Sequence, residues 1–165
     1  MFCEPLESRR LMSASLNASG QLTITGTAHP DRIWLTLNNG SLVVHQVTRT
    51  TATTTTTTRS TFTASAVKSI LVNAGDGNDA VSLFTFGNFS VPSTVNGGNG
   101  NDVLVGGRGA DHLNGDAGDD ILIALDRSNH DVINGGTNGA RGDIAIVNTS
   151  DTVSAVEHVH RLGLA

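Results

Sequence analysis

The chain has 165 residues, among them 19 glycines, 20 threonines, five phenylalanines, one tryptophan and no tyrosine. Glycine exceeds its usual share of about 7%, and so few aromatic side chains cannot form the large aromatic clusters of an ordinary globular core. The single cysteine, Cys3, excludes an intrachain disulfide framework and a zinc site built from several cysteines. These features favour a repetitive architecture.

The net charge of −5 is divided unevenly along the chain. Residues 1–72 carry six basic and three acidic residues, whereas residues 73–165 carry four basic and twelve acidic ones. The acidic, lysine-free second half would repel phosphate backbones, so we expect no nucleic-acid partner, and its carboxylates suit a hard cation. No stretch approaches the roughly 18 to 20 consecutive apolar residues that cross a bilayer, so we expect no membrane span.

Residues 1–19 are polar and lack the apolar stretch of about 7 to 15 residues that a signal peptide needs. We interpret them as an N-terminal tail, with one or two helical turns at residues 5–12. The string EPLESRRLMSA resembles the LEPR-XLL motif, found at the extreme N-terminus of some bacterial exported proteins with repetitive regions. That resemblance implies export or surface anchoring.

Residues 20–73 are predicted to form a β-strand segment. Apolar and polar residues alternate from Leu22 to Val44, and this period of two predicts half-buried strands, with turns at AHPD and NNG. Residues 48–63 include eleven threonines and offer no apolar face, so we expect a Thr-rich surface loop there. Strand character resumes in AVKSILVNAG, where Val67, Ile70 and Val72 are candidates for burial.

From residue 74 the sequence repeats. Aligning AGDGNDAVS, GGNGNDVLV, GGRGADHLN and GDAGDDILI places aspartates in one column and apolar residues in another: Asp79, Asp102, Asp111 and Asp120, then Val81, Leu104, Leu113 and Leu122. A stretched copy, GGTNGARGDIAI, carries Asp143, and NHDVIN carries Asp131 without the glycines. This is the nonapeptide G-G-x-G-x-D-x-U-x, so residues 74–146 resemble the haemolysin-type (RTX) calcium-binding repeat proteins.

The spacing itself predicts a coil. Glycines let six residues turn tightly with positive φ, and the next three residues form a short strand with one inward side chain. Two blocks therefore make one turn of the coil, and equivalent loops of successive turns stack about 4.8 Å apart. Stacking gathers carboxylates and carbonyls around a common cleft, and Ca²⁺ accepts about six to eight such oxygens in flexible geometry.

We therefore predict an all-β protein, a parallel β-solenoid of the RTX β-roll type preceded by the N-terminal β segment and the short tail. The predicted parts are the tail at 1–19, the β segment at 20–73, the calcium-binding β-roll at 74–146 and a C-terminal cap at 147–165. The cap, around Ile144, Ile146 and Val147 and then Val153, Val156 and Val159, would cover the last turn against aggregation.

Alternate blocks should share an edge and therefore an ion. The strongest predicted site lies between turns 97–102 and 115–120, with Asp102 and Asp120 as ligands, and a second lies between turns 74–79 and 97–102. A weaker third would join Asp111 and Asp131 on the opposite edge, where ALDRSNHD lacks glycine. We expect about two to four ions, with local defects at Ala74, at Asp116, at Ala145 and in the long spacer from Ser82 to Asn96.

In the RTX family the sixth-position aspartate gives its carboxylate, and the glycines and their neighbours give carbonyls. Carried to the matching positions, the resemblance implies these metal ligands: Asp79, Gly97, Gly98, Asn99, Gly100, Asp102, Gly106, Gly107, Gly109, Asp111, Gly115, Ala117, Gly118, Asp120, Asp131 and Asp143. It also implies a bacterial protein that is secreted, extracellular or on the cell surface.

The sequence offers little for catalysis, and we expect no enzyme. His158 and His160 are interpreted as surface residues, and Ser128, His130 and Asp126 as neighbours in a polar turn. The main hypothesis is calcium binding coupled to folding. One alternative is an adhesion or structural module with a cell-surface or matrix partner, in which calcium only rigidifies the scaffold. Another is a metal-free solenoid held by asparagine ladders.

Overall fold

The structure, a computed structural model, describes residues 12–51, 53–84, 88–126 and 130–163. Residues 1–11, which hold most of the LEPR-XLL-like motif and of the predicted helical turns, lie outside the described residues. Residues 12–19 of the predicted tail are described, and Ser13–Leu16 form a strand that pairs antiparallel with Gln21–Thr25. The described strands are, in chain order, β1 (Ser13–Leu16), β2 (Gln21–Thr25), β3 (Asp31–Asn38), β4 (Ser41–Arg49), β5 (Thr55–Thr63), β6 (Ser69–Asp76), β7 (Ala80–Ser82), β8 (Ser93–Asn99), β9 (Val103–Val105), β10 (Asp111–Gly118), β11 (Ile121–Ala124), β12 (Val132–Asn138), β13 (Ile144–Asn148), β14 (Thr152–Ser154) and β15 (His158–Leu162). A short 3₁₀ turn, Ala64–Ala66, precedes β6. The predicted all-β class is confirmed.

The strands form two sheets, and from β5 onward the chain alternates between them. The first sheet has the order β1-β2-β6-β8-β10-β12-β14, and the second has the order β15-β13-β11-β9-β7-β3-β4-β5. From β2 to β14 in the first sheet and from β3 to β15 in the second, neighbours pair in parallel. The pairs β6/β7, β8/β9, β10/β11 and β12/β13 are therefore four consecutive turns of a coil, flanked by β2/β3 and β14/β15. The predicted parallel β-solenoid is confirmed.

The core consists of two facing columns of aliphatic side chains. In the first sheet the strand register aligns Ile24, Val72, Val95, Leu113 and Ile133, all fully buried. In the second sheet it aligns Ile33, Val81, Leu104, Leu122 and Ala145, all at most 1% exposed. Because each member of the second column lies two residues after an acidic residue, the repeat spacing itself keeps the column in register.

The Thr-rich segment differs from the prediction. Residues 48–63 are not a surface loop, because Thr55–Thr63 form β5, which pairs antiparallel with β4 along its whole length. β-branched threonine fits a pleated strand, and β5 lies at the edge of the second sheet, where it needs a hydrogen-bonding partner on one side only. An apolar face was therefore not required for strand formation. Val67, Ile70 and Val72, by contrast, are buried as expected.

The C-terminal segment continues the coil. The predicted boundary at residue 147 falls inside β13, and β14 and β15 add parallel strands to the two sheets. Ala145 occupies the inward position, so the expectation that Ile144 and Ile146 close the core is wrong, and both are half-exposed. The reason is register, since the inward residue follows Asp143 by two positions. Val153 and Val156 do pack against the core, whereas Val159 is exposed.

Asparagine side chains form a polar ladder along the first sheet. The Asn96 side-chain amide donates to Asn73 Oδ1, and the Asn114 amide donates to Asn96 Oδ1, both at 2.8 Å. These residues occupy equivalent positions of successive turns, so each bond reinforces the stacking of its strands. The ladder stabilises the coil whether or not a metal binds elsewhere.

Leu104→Ala should lower the free energy of unfolding by about 2 to 5 kcal/mol, because it opens a cavity in the second-sheet column. Its neighbour Val103 is 38% exposed, so Val103→Ala is the matched control and should cost less than about 1 kcal/mol. Urea unfolding at a fixed calcium concentration, followed by circular dichroism, measures both. Equal losses would contradict the inward assignment of Leu104.

Candidate metal centre

One edge of the solenoid carries a ladder of carboxylates, which we call the acidic edge. Its turns lead from the first sheet to the second, and they end in Asp31, Asp79, Asp102, Asp120, Asp143 and Glu157. The backbone N–H of each residue donates to the carboxylate of the next, at 2.7 Å from Asp31 to Asp79 and at 2.8 Å in every later step. The five aspartates are at most 2% exposed. The ladder therefore holds each aspartate at a defined position inside the protein.

Four of these aspartates keep one buried oxygen without a partner. Within the described residues, the Oδ2 atoms of Asp79, Asp102, Asp120 and Asp143 accept no hydrogen bond. An unpaired buried oxygen costs free energy, and more so when it is charged. Four such atoms in successive turns point to a ligand that the protein itself does not supply.

In two of these turns, the first glycine lies at a place where oxygens converge. A Cβ built on Gly97 would collide with Asp102 Oδ2 and would lie 2.7 Å from the carbonyl oxygen of Gly115 in the next turn. A Cβ on Gly115 would collide with Asp120 Oδ2 and would lie 2.5 Å from the Gly135 carbonyl oxygen. At these two turns, a carboxylate oxygen and a carbonyl oxygen of successive turns therefore face one small space beside the first glycine, whereas the turn that ends in Asp79 has Ala74 at that position.

Positive φ angles shape these turns. Gly98 and Gly100 have φ of 104° and 129°, and a Cβ on either would collide with a carbonyl oxygen of the preceding turn. Asp116 stands where the second glycine is expected and adopts φ of 72°. Its turn still leaves Asp120 Oδ2 unpaired, so the defect expected there is not seen, because aspartate tolerates the left-handed region better than most residues.

Burial raises the pKa values of the acidic-edge aspartates. Desolvation is the largest cause, neighbouring carboxylates add to it, and the backbone hydrogen bonds oppose it. The pKa of Asp79 rises to about 7, those of Asp102 and Asp120 rise to about 6, and that of Asp143 is also raised. Ionising these groups near neutral pH is unfavourable until a cation replaces the lost hydration.

The donor set fits Ca²⁺. The atoms that converge are carboxylate and carbonyl oxygens, which calcium prefers, and a soft metal would require nitrogen or sulfur ligands. Among the residues that the structure describes, no three His, Cys, Asp or Glu side chains lie close enough to hold a metal together. Backbone carbonyls of the stacked turns would therefore have to provide most ligands, with one or two carboxylates per ion.

The opposite edge, with turns that end in Ser93, Asp111, Asp131 and Asp151, is bonded differently. Ser93 Oγ donates to Asp111 Oδ1 at 2.7 Å, and the N–H groups of Asp111 and Asp131 donate to the following carboxylates at 2.8 and 3.1 Å. In addition, the Gly107 N–H donates to Asp111 Oδ2 at 2.6 Å. Burial raises the pKa of Asp111, and it raises that of Asp131 to about 7.

The structure groups the sequence-predicted ligands by edge. Asp79, Asp102, Asp120 and Asp143 lie together on the acidic edge with the residues 97–100, 115, 117 and 118. Asp111 and Asp131 lie on the opposite edge with Gly106, Gly107 and Gly109. That the residues on either edge bind metal remains a prediction. Of the other candidates, Ser128 lies outside the described residues, and His158 and His160 are exposed on β15.

Sequence reasoning missed three members of the ladders: Asp31, Asp151 and Glu157. Each precedes an apolar residue by two positions, as Asp102 precedes Leu104. Gly26 also precedes Asp31 by five residues, as Gly97 precedes Asp102. This spacing between an acidic residue and an apolar residue was the signal that could have identified them. An isolated copy of the spacing, without the other glycines of the nonapeptide, is difficult to distinguish from ordinary sequence.

Comparison with known proteins gives one family. Residues 94–126 match the model of the RTX calcium-binding nonapeptide repeat, in four copies. No curated protein and no solved structure matches the chain. Among the described residues, none of the helical segments is long and apolar enough to cross a membrane.

Gly98→Ala should destabilise the protein well beyond the effect of an unfavourable φ, because its Cβ would collide with the backbone of the preceding turn. Gly40→Ala is the matched control, since Gly40 has φ of 76° but open space around it. The control should lose about 1 to 2 kcal/mol. Chemical denaturation of both variants in saturating calcium makes the comparison, and similar losses would rule out close stacking at Gly98.

Without calcium, the free energy of unfolding should fall as pH rises from about 4 to about 7. The folded state holds protons on Asp79, Asp102 and Asp120 up to pKa values near 6 to 7, whereas the unfolded chain releases them near 3.8. The folded state thus binds more protons in this interval, so stability is lost as they leave. Denaturation in calcium-free buffers between pH 4 and 8 measures the trend. A rise over this interval would contradict the assigned burial.

Proposed function

We propose that this chain, whose residues 94–126 are RTX calcium-binding nonapeptide repeats, binds Ca²⁺ on its acidic edge and completes its folding in doing so. The observation that carries the proposal is the set of four unpaired buried carboxylate oxygens, in successive turns, each at the end of a glycine-rich loop. The proposed role is binding rather than catalysis.

The ligands of each ion belong to different turns of the coil. Asp79 and Asp102 are 23 residues apart, Asp102 and Asp120 are 18 apart, and Asp120 and Asp143 are 23 apart. Only the stacked fold brings such residues together, so the unfolded chain has no comparable site. Free energy of binding is then free energy of folding, about 2.7 kcal/mol for one site when calcium is 100 times its dissociation constant.

Repulsion between carboxylates in the acidic half of the chain opposes folding when calcium is absent. Residues 73–165 carry eight more acidic than basic residues, and the raised pKa values show that ionisation of the buried aspartates is unfavourable in the fold. At low calcium and neutral pH, ionised carboxylates therefore favour an expanded chain. Bound cations remove this repulsion and stabilise the folded coil.

These properties suit a protein that works where calcium is abundant. RTX repeats are typical of secreted bacterial proteins. We place the function outside the cell, where calcium would keep the coil folded, and leave the chain expanded inside, where free calcium is low. The folded fraction of the protein would then follow the calcium concentration.

Calcium added to the metal-free protein at pH 7.5 should produce a gain in far-UV β signal, with about two to four ions bound per chain. Magnesium should produce little change, because it requires a tight octahedron and keeps its waters. Circular dichroism and calorimetry together measure the transition and the stoichiometry.

Two results would refute parts of the proposal. Absence of binding heat in the purified protein would refute calcium binding. Binding without any change in the β signal would refute coupled folding, and it would favour the alternative in which calcium only rigidifies a preformed adhesion or structural module.

A further inference from the structure

The solenoid contains two kinds of turn, which differ in backbone conformation. In the first kind the second residue has positive φ: Gly75 (117°), Gly98 (104°), Asp116 (72°) and Gly136 (104°). In the second kind it does not, and the described examples are Gly26–Asp31, with Thr27 at the second position, and Gly106–Asp111, with Gly107. At the fourth residue, Gly77, Gly100 and Gly118 have positive φ, whereas Gly109 does not, and neither does Asn138 of the turn that ends in Asp143.

Backbone conformation decides whether the aspartate of the same turn is satisfied. In the second kind of turn, the N–H of the second residue donates to its own aspartate, from Thr27 to Asp31 Oδ2 and from Gly107 to Asp111 Oδ2, both at 2.6 Å. In the first kind this bond is absent, and the equivalent oxygens of Asp79, Asp102, Asp120 and Asp143 are the four unpaired atoms. The hydrogen bond from the N–H of the second residue and a bound cation are thus alternative partners for the same Oδ2 atom.

The turn Gly106–Asp111 also differs from the acidic-edge turns in its neighbours. The turn Gly106–Asp111 has the sequence GGRGAD and all the glycines of the nonapeptide, but its neighbours on the opposite edge, NFSVPS (residues 88–93) before it and DRSNHD (residues 126–131) after it, contain none. A Cβ on Gly109 would collide with the Val91 carbonyl oxygen and would lie 2.8 Å from the Pro92 nitrogen. Neither neighbouring segment carries the glycines that allow the second residue of the first kind of turn to adopt positive φ.

We infer that calcium binds on the acidic edge alone, with at most one ion for each unpaired oxygen of Asp79, Asp102, Asp120 and Asp143, and that the turn Gly106–Asp111 holds no ion. The inference rests on the proposed calcium binding and departs from the sequence repeats at one turn. It removes Gly106–Asp111, which lies inside the matched residues 94–126, and it keeps Asp79 and Asp143, which the repeat alignment includes although they lie outside the match.

The asymmetry gives the two edges different roles. On the opposite edge, Asp111 accepts a hydrogen bond from Ser93 Oγ on Oδ1 and from the Gly107 N–H on Oδ2, so both of its oxygens are satisfied without a metal. The acidic edge is complete only with cations. Calcium would therefore tighten one side of a coil whose other side is already hydrogen-bonded.

The test is the number of calcium ions per folded chain, measured by equilibrium dialysis with metal analysis on four proteins: the parent, Asp102→Asn, Asp111→Asn and Gly107→Ala. Asp102→Asn should lose one or two ions, because Asp102 takes part in the ladder between turns. Asp111→Asn should keep the parent number.

Gly107→Ala keeps the test decisive if Asp111→Asn does not fold. A Cβ on Gly107 would lie 3.6 Å from its nearest neighbour, the Leu83 carbonyl oxygen, and φ is not in the left-handed region, so alanine fits the described conformation. An ion-binding turn would require positive φ at this position and would lose its ion on substitution. We expect the parent number of ions.

The outcomes separate the two proposals. If the parent binds calcium and either Asp111→Asn or Gly107→Ala binds fewer ions, one-edge binding is wrong and calcium binding stands. If the parent binds no calcium, the proposed function fails and the inference falls with it. If Asp102→Asn is the only variant that loses ions, the result supports both the proposed calcium binding and its restriction to the acidic edge.

Discussion

The structure depends on one hydrogen bond that recurs along both edges, from the backbone N–H of an acidic residue to the carboxylate of the equivalent residue in the next turn; at Ser93 the side-chain hydroxyl donates instead. On the acidic edge it links Asp31 to Glu157 through four intermediate aspartates at 2.7 to 2.8 Å. Each bond sets the stacking register immediately before a strand of the second sheet. The residue two positions after the acidic residue then points inward. The two-residue spacing therefore fixes both the ladder of carboxylates and the column of aliphatic side chains in the second sheet.

This arrangement satisfies the backbone at a cost to the carboxylates. Each aspartate uses Oδ1 to fix the register, and in four turns Oδ2 remains buried and unpaired. The left-handed residues that allow the turns to stack closely also take away the N–H that would have paired with Oδ2. Close stacking and the need for a cation therefore have one origin, the positive φ at the second position of the turn.

The sequence predicted the repeating part of this fold well, because each block carries its own signal. Asp79, Asp102 and Asp120 could be assigned to one edge from a spacing of alternate blocks, and Val81, Leu104 and Leu122 to the core. Non-local features were not readable. Asp31 is 48 residues from its partner Asp79 because the β4–β5 hairpin intervenes, and the threonines of β5 form a strand only because β4 offers an edge. The turn Gly106–Asp111 has all the glycines of the repeat, yet Gly107 lacks the positive φ of the equivalent residues on the acidic edge, which the sequence of the turn does not indicate.

The ends of the acidic ladder show how a row of cation sites can terminate. At one end, Asp31 accepts a hydrogen bond from the Thr48 hydroxyl on Oδ1 and from the Thr27 N–H on Oδ2. At the other end, Glu157 accepts one from the Asn138 amide on Oε1 and from the Asp143 N–H on Oε2. Both terminal carboxylates therefore have two partners from the protein, whereas the four between them have one. A terminal turn has a neighbour on one side only and would offer a cation half the oxygens, so satisfying it with N–H and O–H donors avoids an incomplete site. Thr48, which lies in the segment that the composition alone assigned to a loop, supplies one of these donors from β4.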